Sequence, residues 1–161
     1  MDEGSLQSIA VFEALTRSLT RLDLFSYDLY LKYGAPGRGL NHSITPCRFP
    51  IRRKDGASEQ SDGGFVLGSS VQLDPAKERC MIFTLVLCWT QEKWLIRAWV
   101  EEEDISRDHS SVSLSEPAEF YASTVLQVID SLGNATDYLE KSVTIPAIAT
   151  RLAEMQNGPK A

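Results

Sequence analysis

The chain has 161 residues, of which 43% are hydrophobic and 24% are charged, and this ordinary globular composition excludes wholesale disorder. Sixteen Lys and Arg residues against 22 Asp and Glu residues give a formal net charge of −6. That charge disfavours binding to duplex DNA, because proteins that bind duplexes usually present a basic surface. One domain over residues 1–161 is expected, since a domain typically takes roughly 100–200 residues.

The N-terminus begins MDEGSLQ, with acidic residues where a signal peptide carries positive charge. The longest apolar run, Met81–Trp89, is too short to cross a bilayer as a helix, which needs about 20 residues. We therefore expect a soluble, cytoplasmic protein without membrane contact. An odd number of cysteines forms no closed disulfide framework, so free thiols are expected at Cys47, Cys80 and Cys88.

The first third of the chain predicts a helix followed by irregular structure. A helix from Ser5 to about Leu22 is indicated by apolar residues at three- and four-residue spacing, namely Leu6, Ile9, Phe12, Leu15, Leu19 and Leu22. Residues 23–33 place aromatic and leucine side chains at period two, which favours a strand, with a continuing helix as the alternative. Glycine and proline make residues 34–64 the least regular segment. Within it we expect a short strand around Cys47–Arg53 and a mobile loop over Lys54–Gly64.

Three further strands are predicted over Phe65–Leu73, Arg79–Trp89 and Lys93–Glu103. The short linker between the last two predicts a hairpin in which Trp89 faces Trp94. A slip of one residue would move Arg97 into the core, so the pattern specifies the register. The run Met81–Trp89 is apolar on both faces and is expected to be interior, whereas Phe65–Leu73 could lie at an edge that pairs in a homodimer. The apolar face of the hairpin, which is the predicted core, carries Phe83, Leu85, Leu87, Trp89, Trp94, Ile96, Ala98 and Val100.

The C-terminal third predicts helices. One is expected to open at Glu116-Pro117 and to end at Gly133-Asn134, and a short helix around Ala135–Lys141 is expected to follow. A last helix is expected over about Pro146–Met155, and Gln156–Ala161 is expected to fray. Strands grouped between helices predict an α+β fold, in which an antiparallel sheet of four to five strands carries the N-terminal helix and the C-terminal helices on one face.

The sequence contains little catalytic or metal-binding chemistry. The glycines of GAPGRG are not followed by the lysine and hydroxyl residue of a phosphate-binding loop. His42 and Cys47 give only a weak zinc pattern, because no second pair of ligands has the usual spacing. Cys47 beside Arg48, with His42 as a base, is the sharpest candidate nucleophile, since a nearby cation lowers a thiol pKa. No orienting carboxylate accompanies this group, so we predict no catalytic residue, no metal and no cofactor.

The mixed face of the hairpin is the predicted partner-binding surface. It exposes Trp and Arg, which are enriched in binding hot spots, and it borders an acidic run. The alternative is that the N-terminal helix or another sheet buries this face, in which case Arg97 needs a carboxylate partner. The predicted contact residues are Leu95, Arg97, Trp99, Glu101, Glu103 and Asp104.

Charge is segregated along the chain. Residues 29–54 hold six basic side chains and no acid, whereas residues 101–119 hold seven acids and one Arg. The cluster Arg52-Arg53-Lys54 could contact RNA or phosphate, although few aromatic residues accompany it. Such bands either pair within the fold or orient a charged partner.

Two functions follow from these patterns. The first is a non-catalytic acidic protein-binding domain, of inhibitor, immunity or chaperone type, that contacts a basic partner protein. The alternative is a small-ligand-binding protein or an enzyme with a pocket between the sheet and the helices. The tryptophans, Tyr27 and Tyr30 would line that pocket, and an enzyme would need convergent polar groups, such as His42, His109 or Arg97.

Overall fold

The computed structural model describes residues 3–44, 50–52, 58–76, 78–91, 93–108 and 110–156. Three helices flank the strands, namely α1 (Glu3–Tyr33), α2 (Val125–Lys141) and α3 (Pro146–Gln156). The strands are β1 (Arg38–Ile44), β2 (Pro50–Arg52), β3 (Ser58–Gln60), β4 (Gly63–Gln72), β5 (Arg79–Trp89), β6 (Trp94–Asp104), β7 (Ser110–Ser113) and β8 (Ala118–Ala122).

The main sheet is antiparallel and has six strands. Its order is β1-β4-β5-β6, and both β7 and β8 pair with the far edge of β6. Strands β2 and β3 form a separate two-stranded sheet. The α+β class, with helices at both ends of the chain, is thereby confirmed, and the sheet has one strand more than the upper count expected.

The β5–β6 hairpin has the predicted register. Trp89 pairs with Trp94 and Phe83 pairs with Val100, and the two tryptophan rings lie 5.4 Å apart. Strand β5 is central, as predicted from its two apolar faces. The expectation that Phe65–Leu73 lies at an edge is wrong, because β1 turns back from α1 and pairs with residues 65–71 of β4.

Helix α1 is continuous, so the strand predicted over residues 23–33 is wrong and the helical alternative is correct. Leu22, Ser26 and Leu29 are buried at helical spacing, and the polar Ser26 hides this period in the sequence. The Ser26 hydroxyl donates to the Asp23 carbonyl at 3.1 Å, which lets it enter the core. Gly34 ends the helix with φ of 66°, a left-handed conformation that suits glycine.

The predicted helix start at Glu116-Pro117 is also wrong. Residues 118–122 form β8 against β6, and α2 begins only at Val125. A capping box sets this start: the Thr124 hydroxyl accepts from the Gln127 amide at 3.2 Å, and the Gln127 side chain accepts from the Thr124 amide at 3.3 Å. The helix then passes through Gly133, where a stop was expected, and ends at Lys141. It continues because Ala135, Thr136 and Leu139 lie in the core.

The core lies between the helices and one face of the sheet. It includes the predicted apolar face of the hairpin, on which Phe83, Leu85 and Leu87 are fully buried. Arg21 of α1 bonds Asp137 and Glu140 of α2, which joins the two helices at their surface. No helix in the described part of the chain is long and apolar enough to cross a membrane.

The irregular segment is partly described. Strand β2 falls inside the strand expected around Cys47–Arg53, while residues 45–49 and 53–57 lie outside the described residues. Where a mobile loop was expected, residues 58–60 form β3 and residues 63 and 64 begin β4. The last helix ends at Gln156, and the remainder of the predicted frayed tail lies outside the described residues.

Candidate functional site

An apolar cleft opens between the first half of α1 and the sheet, beside the turn of the β5–β6 hairpin. Its volume is about 560 Å³. This lies within the roughly 300–1,000 Å³ that ligand pockets commonly occupy. The cleft is lined by Ser8, Ile9, Val11, Phe12, Leu15, Phe65, Trp89, Trp94 and Val125.

Four segments of the chain supply these walls. The hairpin register places Trp89 next to Trp94, and the pairing of β4 with β5 brings the Phe65 ring to 5.7 Å from Trp89. The capping box places Val125 at the first turn of α2, where it packs against the core. On α1, Phe12 stands at the rim with 60% of its surface exposed. The cleft therefore follows from the packing of elements that are distant in sequence.

The described lining of the cleft is almost wholly apolar. Among the described lining residues, Ser8 carries the only hydroxyl, and none is a His, Cys, Asp, Glu, Lys or Arg. General acid–base and nucleophilic catalysis both need such groups within hydrogen-bond reach of the reacting atoms. The described walls of the cleft therefore do not supply the convergent polar groups expected of an enzyme site.

A smaller cavity of about 170 Å³ adjoins the cleft. The two share Phe12, Leu15 and Phe65, so the apolar surface continues toward strand β1. His42 and Ser43 line the far side of the smaller cavity and give it a polar end. Tyr27 and Tyr30, which were expected to line a pocket, lie further along α1 and stack on each other at 6.3 Å.

The predicted partner-binding face is partly covered by the β2–β3 sheet. Ile51 of β2 is fully buried against Val86, Cys88 and Leu95, and Trp99 packs at the margin of this cluster. The Arg97 guanidinium pairs with Glu119 of β8 at 2.9 Å, the carboxylate partner that a covered face requires. Binding of a partner through Leu95, Arg97 and Trp99 stays a prediction, and these side chains have contacts within the fold.

The acidic run does not act as one patch. Glu102 faces the helices with its side chain 13% exposed, bound by Arg79 at 2.9 Å and by Arg151 at 3.2 Å. Asp104 accepts hydrogen bonds from the amide and the hydroxyl of Ser106, which hold the pKa of the Asp104 carboxyl below its usual range.

Glu101 and Glu103 lie on the opposite face of β6 from Glu102 and are half-buried. They are therefore the two predicted acids that remain on the outer sheet face. The separation along β6 between the Trp94 end, where the cleft lies, and Glu102 is about 26 Å. A small ligand in the cleft would not reach the acids.

The described cysteines are poor nucleophiles. Burial raises the pKa of the Cys80 thiol to about 11, and the Glu103 and Glu101 carboxylates add to this effect. Cys88 is fully buried. Cys47 and His109 lie outside the described residues, as do Arg53 and Lys54. No group of three potential metal ligands occurs among the described residues.

Comparison with protein-family models, with curated proteins and with solved structures finds no match for this chain. The cleft is therefore the feature of the molecule that points to a function. Sequence reasoning placed two of its walls, Trp89 and Trp94, but missed Ile9, Phe65 and Val125 as site residues. The available signal was the width of the apolar pattern on α1, where Ile9 and Phe12 exceed what a single buried face needs.

Proposed function

We propose that the protein is a non-catalytic binding protein, of inhibitor, immunity or chaperone type, that recognises a partner protein through the apolar cleft beside α1. The observation that carries the proposal is an open cleft of about 560 Å³ whose walls are almost wholly apolar. Binding would bury the Phe12 side chain, which is 60% exposed in the free protein. Removing such surface from water is favourable, at about 25 cal/mol per Å².

The exposed rim favours a macromolecular partner over an enclosed small ligand. Ile9 and Phe12 both stand exposed at the mouth of the cleft. Contiguous exposed apolar surface commonly marks a protein-binding site. The rings of Trp89 and Trp94, tilted by 53° to each other, give an apolar wall for an anchor such as a leucine or an aromatic side chain.

The charge of the chain supports a basic partner. A net charge of −6 attracts basic proteins and raises their rate of association at low salt. Glu101 and Glu103 lie about 23 and about 30 Å along β6 from Trp94 at the cleft, so a partner that touches both regions must have an extended surface. The proposed partner is therefore a basic protein with an exposed apolar side chain.

The experiment compares two neighbouring substitutions in the first turn of α2. Val125→Asp introduces a carboxylate into the wall of the cleft, whereas Leu126→Asp changes a residue that is 75% exposed and does not line the cleft. Acidic residues are tolerated at a helix N-terminus, so both variants are expected to fold. Each variant and the unsubstituted chain serve as bait in native lysate at low and moderate salt.

A basic protein captured stoichiometrically by the unsubstituted chain and by Leu126→Asp, but lost with Val125→Asp, would support the proposal. Equal capture by both variants would exclude the cleft as the contact.

The same cleft also has the volume of a small-molecule site, which is the second candidate function. The fluorescence of Trp89 and Trp94 should respond to an apolar probe such as anilinonaphthalene sulfonate. A bait that captures no protein, together with a probe that binds the unsubstituted chain but not Val125→Asp, would replace the protein partner by a small apolar ligand.

A further inference from the structure

Strand β1 forms one edge of the main sheet, and this edge is free. The sheet order begins β1-β4, and the described part of the chain places no strand on the other side of β1. Its seven residues pair with β4 in an unbroken register from Arg38 to Ile44. At roughly 3.4 Å per residue the free edge is about 20 Å long. Within the described structure it therefore presents a row of unpaired backbone donors and acceptors.

The register of β1 identifies the backbone groups that point to this edge. The Gln72 amide donates to the Gly37 carbonyl at 2.8 Å, and the β1–β4 register, extended by one residue, sets these two residues opposite each other. They are therefore a hydrogen-bonded pair, and such pairs recur at every second residue of an antiparallel ladder. The odd-numbered residues of β1 thus bond β4, and the even-numbered residues turn their amides and carbonyls outward. The outward set is Arg38, Leu40, His42 and Ile44.

The edge of β1 lacks the features that usually keep sheet edges from pairing. Residues 39–44 contain no Pro, Lys, Arg, Asp or Glu. The charge at the start of the strand turns toward α1, because Arg38 pairs with Asp23 at 2.6 Å and lies 5.2 Å from the centre of the Tyr27 ring. On the far side of the sheet the strands that end it are shorter, with four residues in β7 and five in β8. Of the two sides of the sheet, β1 is the longer and less protected edge.

The α1 side of this edge borders the smaller cavity of about 170 Å³. His42 lies opposite Leu67 in the β1–β4 register, and both residues line the cavity together with Thr16 and Leu19 of α1. A strand bonded to β1 would place the side chain opposite His42 on the same face of the sheet, at the mouth of the cavity. A cavity of about 150 Å³ holds benzene, so this one has room for a branched or aromatic side chain.

We propose that the partner adds an extended segment to the free edge of β1, as a further strand of the main sheet. The main chain of the segment bonds the outward amides and carbonyls of β1, and one of its apolar side chains enters the cavity beside His42. This inference rests on the function proposed for the cleft and specifies it further, because the cavity adjoins the cleft. The partner is thus a protein with an exposed extended segment that carries apolar side chains at alternate positions.

The unpaired backbone groups favour an extended segment over other occupants. A helix has already bonded most of its own amides and carbonyls, and a small apolar ligand has none to offer. An extended chain supplies both kinds of group at the spacing of the edge. In strand addition the main-chain bonds provide affinity, and pockets for alternate side chains provide specificity. The edge and the cavity of this protein combine both features.

The first test selects peptides of about ten residues from a random phage-displayed library on the immobilised full chain. Leu40→Pro removes an outward amide and places the proline ring in the path of an added strand. Because proline is tolerated where the amide of an edge strand faces solvent, this variant is expected to fold. Leu40→Ala is the matched control, since it shortens the same side chain and keeps the amide.

Selected peptides should carry apolar residues at alternate positions. They should bind Leu40→Ala within about threefold of the unsubstituted chain and Leu40→Pro at least about tenfold more weakly. Unchanged binding to Leu40→Pro, or a library that yields no binder, would overturn the proposal. Binding to Val125→Asp separates this result from the proposed function. Peptides lost with Val125→Asp but retained by Leu40→Pro would leave the cleft as the contact and exclude strand addition, and the reverse pattern would support strand addition and exclude the cleft.

A second test needs no variant and measures amide hydrogen exchange in β1 by nuclear magnetic resonance. In the free chain the outward amides of Leu40, His42 and Ile44 should exchange quickly, whereas the odd-numbered residues of β1 should be protected by their bonds to β4. A selected peptide should slow the outward amides at least about tenfold and change the others little. Slow exchange of the outward amides in the free chain would show that the edge is already covered. That result, or an equal effect of the peptide on both sets, would refute strand addition.

Discussion

At the scale of single residues, Glu102 is a largely buried charge, although its position in a run of acids suggests an exposed side chain. It sits in a run of four acids at the end of β6, yet two guanidinium groups enclose it. The hydrogen bond that Glu102 accepts raises the pKa of Arg79. One of these arginines lies across the hairpin and the other lies on α3, so Glu102 joins the sheet to the last helix.

Glu102→Gln should therefore destabilise the fold by about 1–2 kcal/mol. The value is set at the low end because solvent screens the two arginines, whose side chains are each 38% exposed. Urea unfolding followed by circular dichroism measures the loss. Glu101→Gln on the other face of β6 is the control and should change the unfolding free energy by less than about 0.5 kcal/mol. Equal losses from the two variants would mean that the paired arginines contribute nothing.

At the scale of elements, secondary structure was predicted correctly where the sequence fits a single hydrophobic periodicity. The β5–β6 hairpin has a strict alternation on its apolar face, and a slip of one residue would bury Arg97, so its register could be predicted residue by residue. Residues 23–33 satisfy two periods at once, because their aromatic side chains alternate while Leu22, Ser26 and Leu29 follow the helix. The length of α1 and its packing against the sheet decide in favour of the helix. Neither can be read from a short stretch of sequence.

The start of α2 was predicted eight residues too early. Pro117 looks like a first-turn proline, but Thr124 and Gln127 carry the actual signal, which is the reciprocal pair of bonds of a capping box. Residues 118–122 instead complete the sheet at the edge of β6, a role that depends on pairing with residues 20–28 positions earlier in the chain. The sequence of residues 118–122 alone does not indicate which strand they pair with.

The capping box makes a direct prediction about α2. Thr124→Ala removes the hydroxyl that accepts from the Gln127 amide and should lower the free energy of unfolding by about 1 kcal/mol. The neighbouring exposed substitution Ser123→Ala should lower it by less than about 0.5 kcal/mol. Thermal and urea unfolding of both variants check the difference. If the two alanine variants are equally stable, the start of α2 is set by burial of its apolar face instead.

At the scale of the whole molecule, the candidate site could be predicted only in part. The cleft combines α1, β4, the hairpin and α2, so its walls lie up to about 115 residues apart in the chain and form no local motif. Trp89 and Trp94 could be placed together because a hairpin is local. The mixed face of the hairpin, which was predicted to bind a partner, is partly covered by Ile51, and Ile51 comes from a separate two-stranded sheet with no strong sequence signal. The acidic residues were assigned to the partner surface from their positions in the sequence. Only the fold shows that Glu102 faces the helices while Glu101 and Glu103 lie on the outer face.

The charge of the whole molecule gives the last prediction, which concerns the proposed partner complex. Glu101→Lys combined with Glu103→Lys moves the net charge from −6 to −2, because each substitution adds two positive charges. If the outer-face acids touch a basic partner, the double variant should bind less tightly, and more so at low salt, because salt screens exposed charges beyond about 10 Å at 0.1 M.

Glu78→Lys combined with Glu116→Lys is the matched control, since it makes the same change in net charge at two exposed positions away from that face. Isothermal titration at two salt concentrations compares the pairs. A loss specific to the Glu101 and Glu103 variant places the partner on the outer face of β6. Equal losses from both pairs would mean that the partner responds only to the long-range field, and unchanged affinity at low salt would exclude Glu101 and Glu103 as contacts.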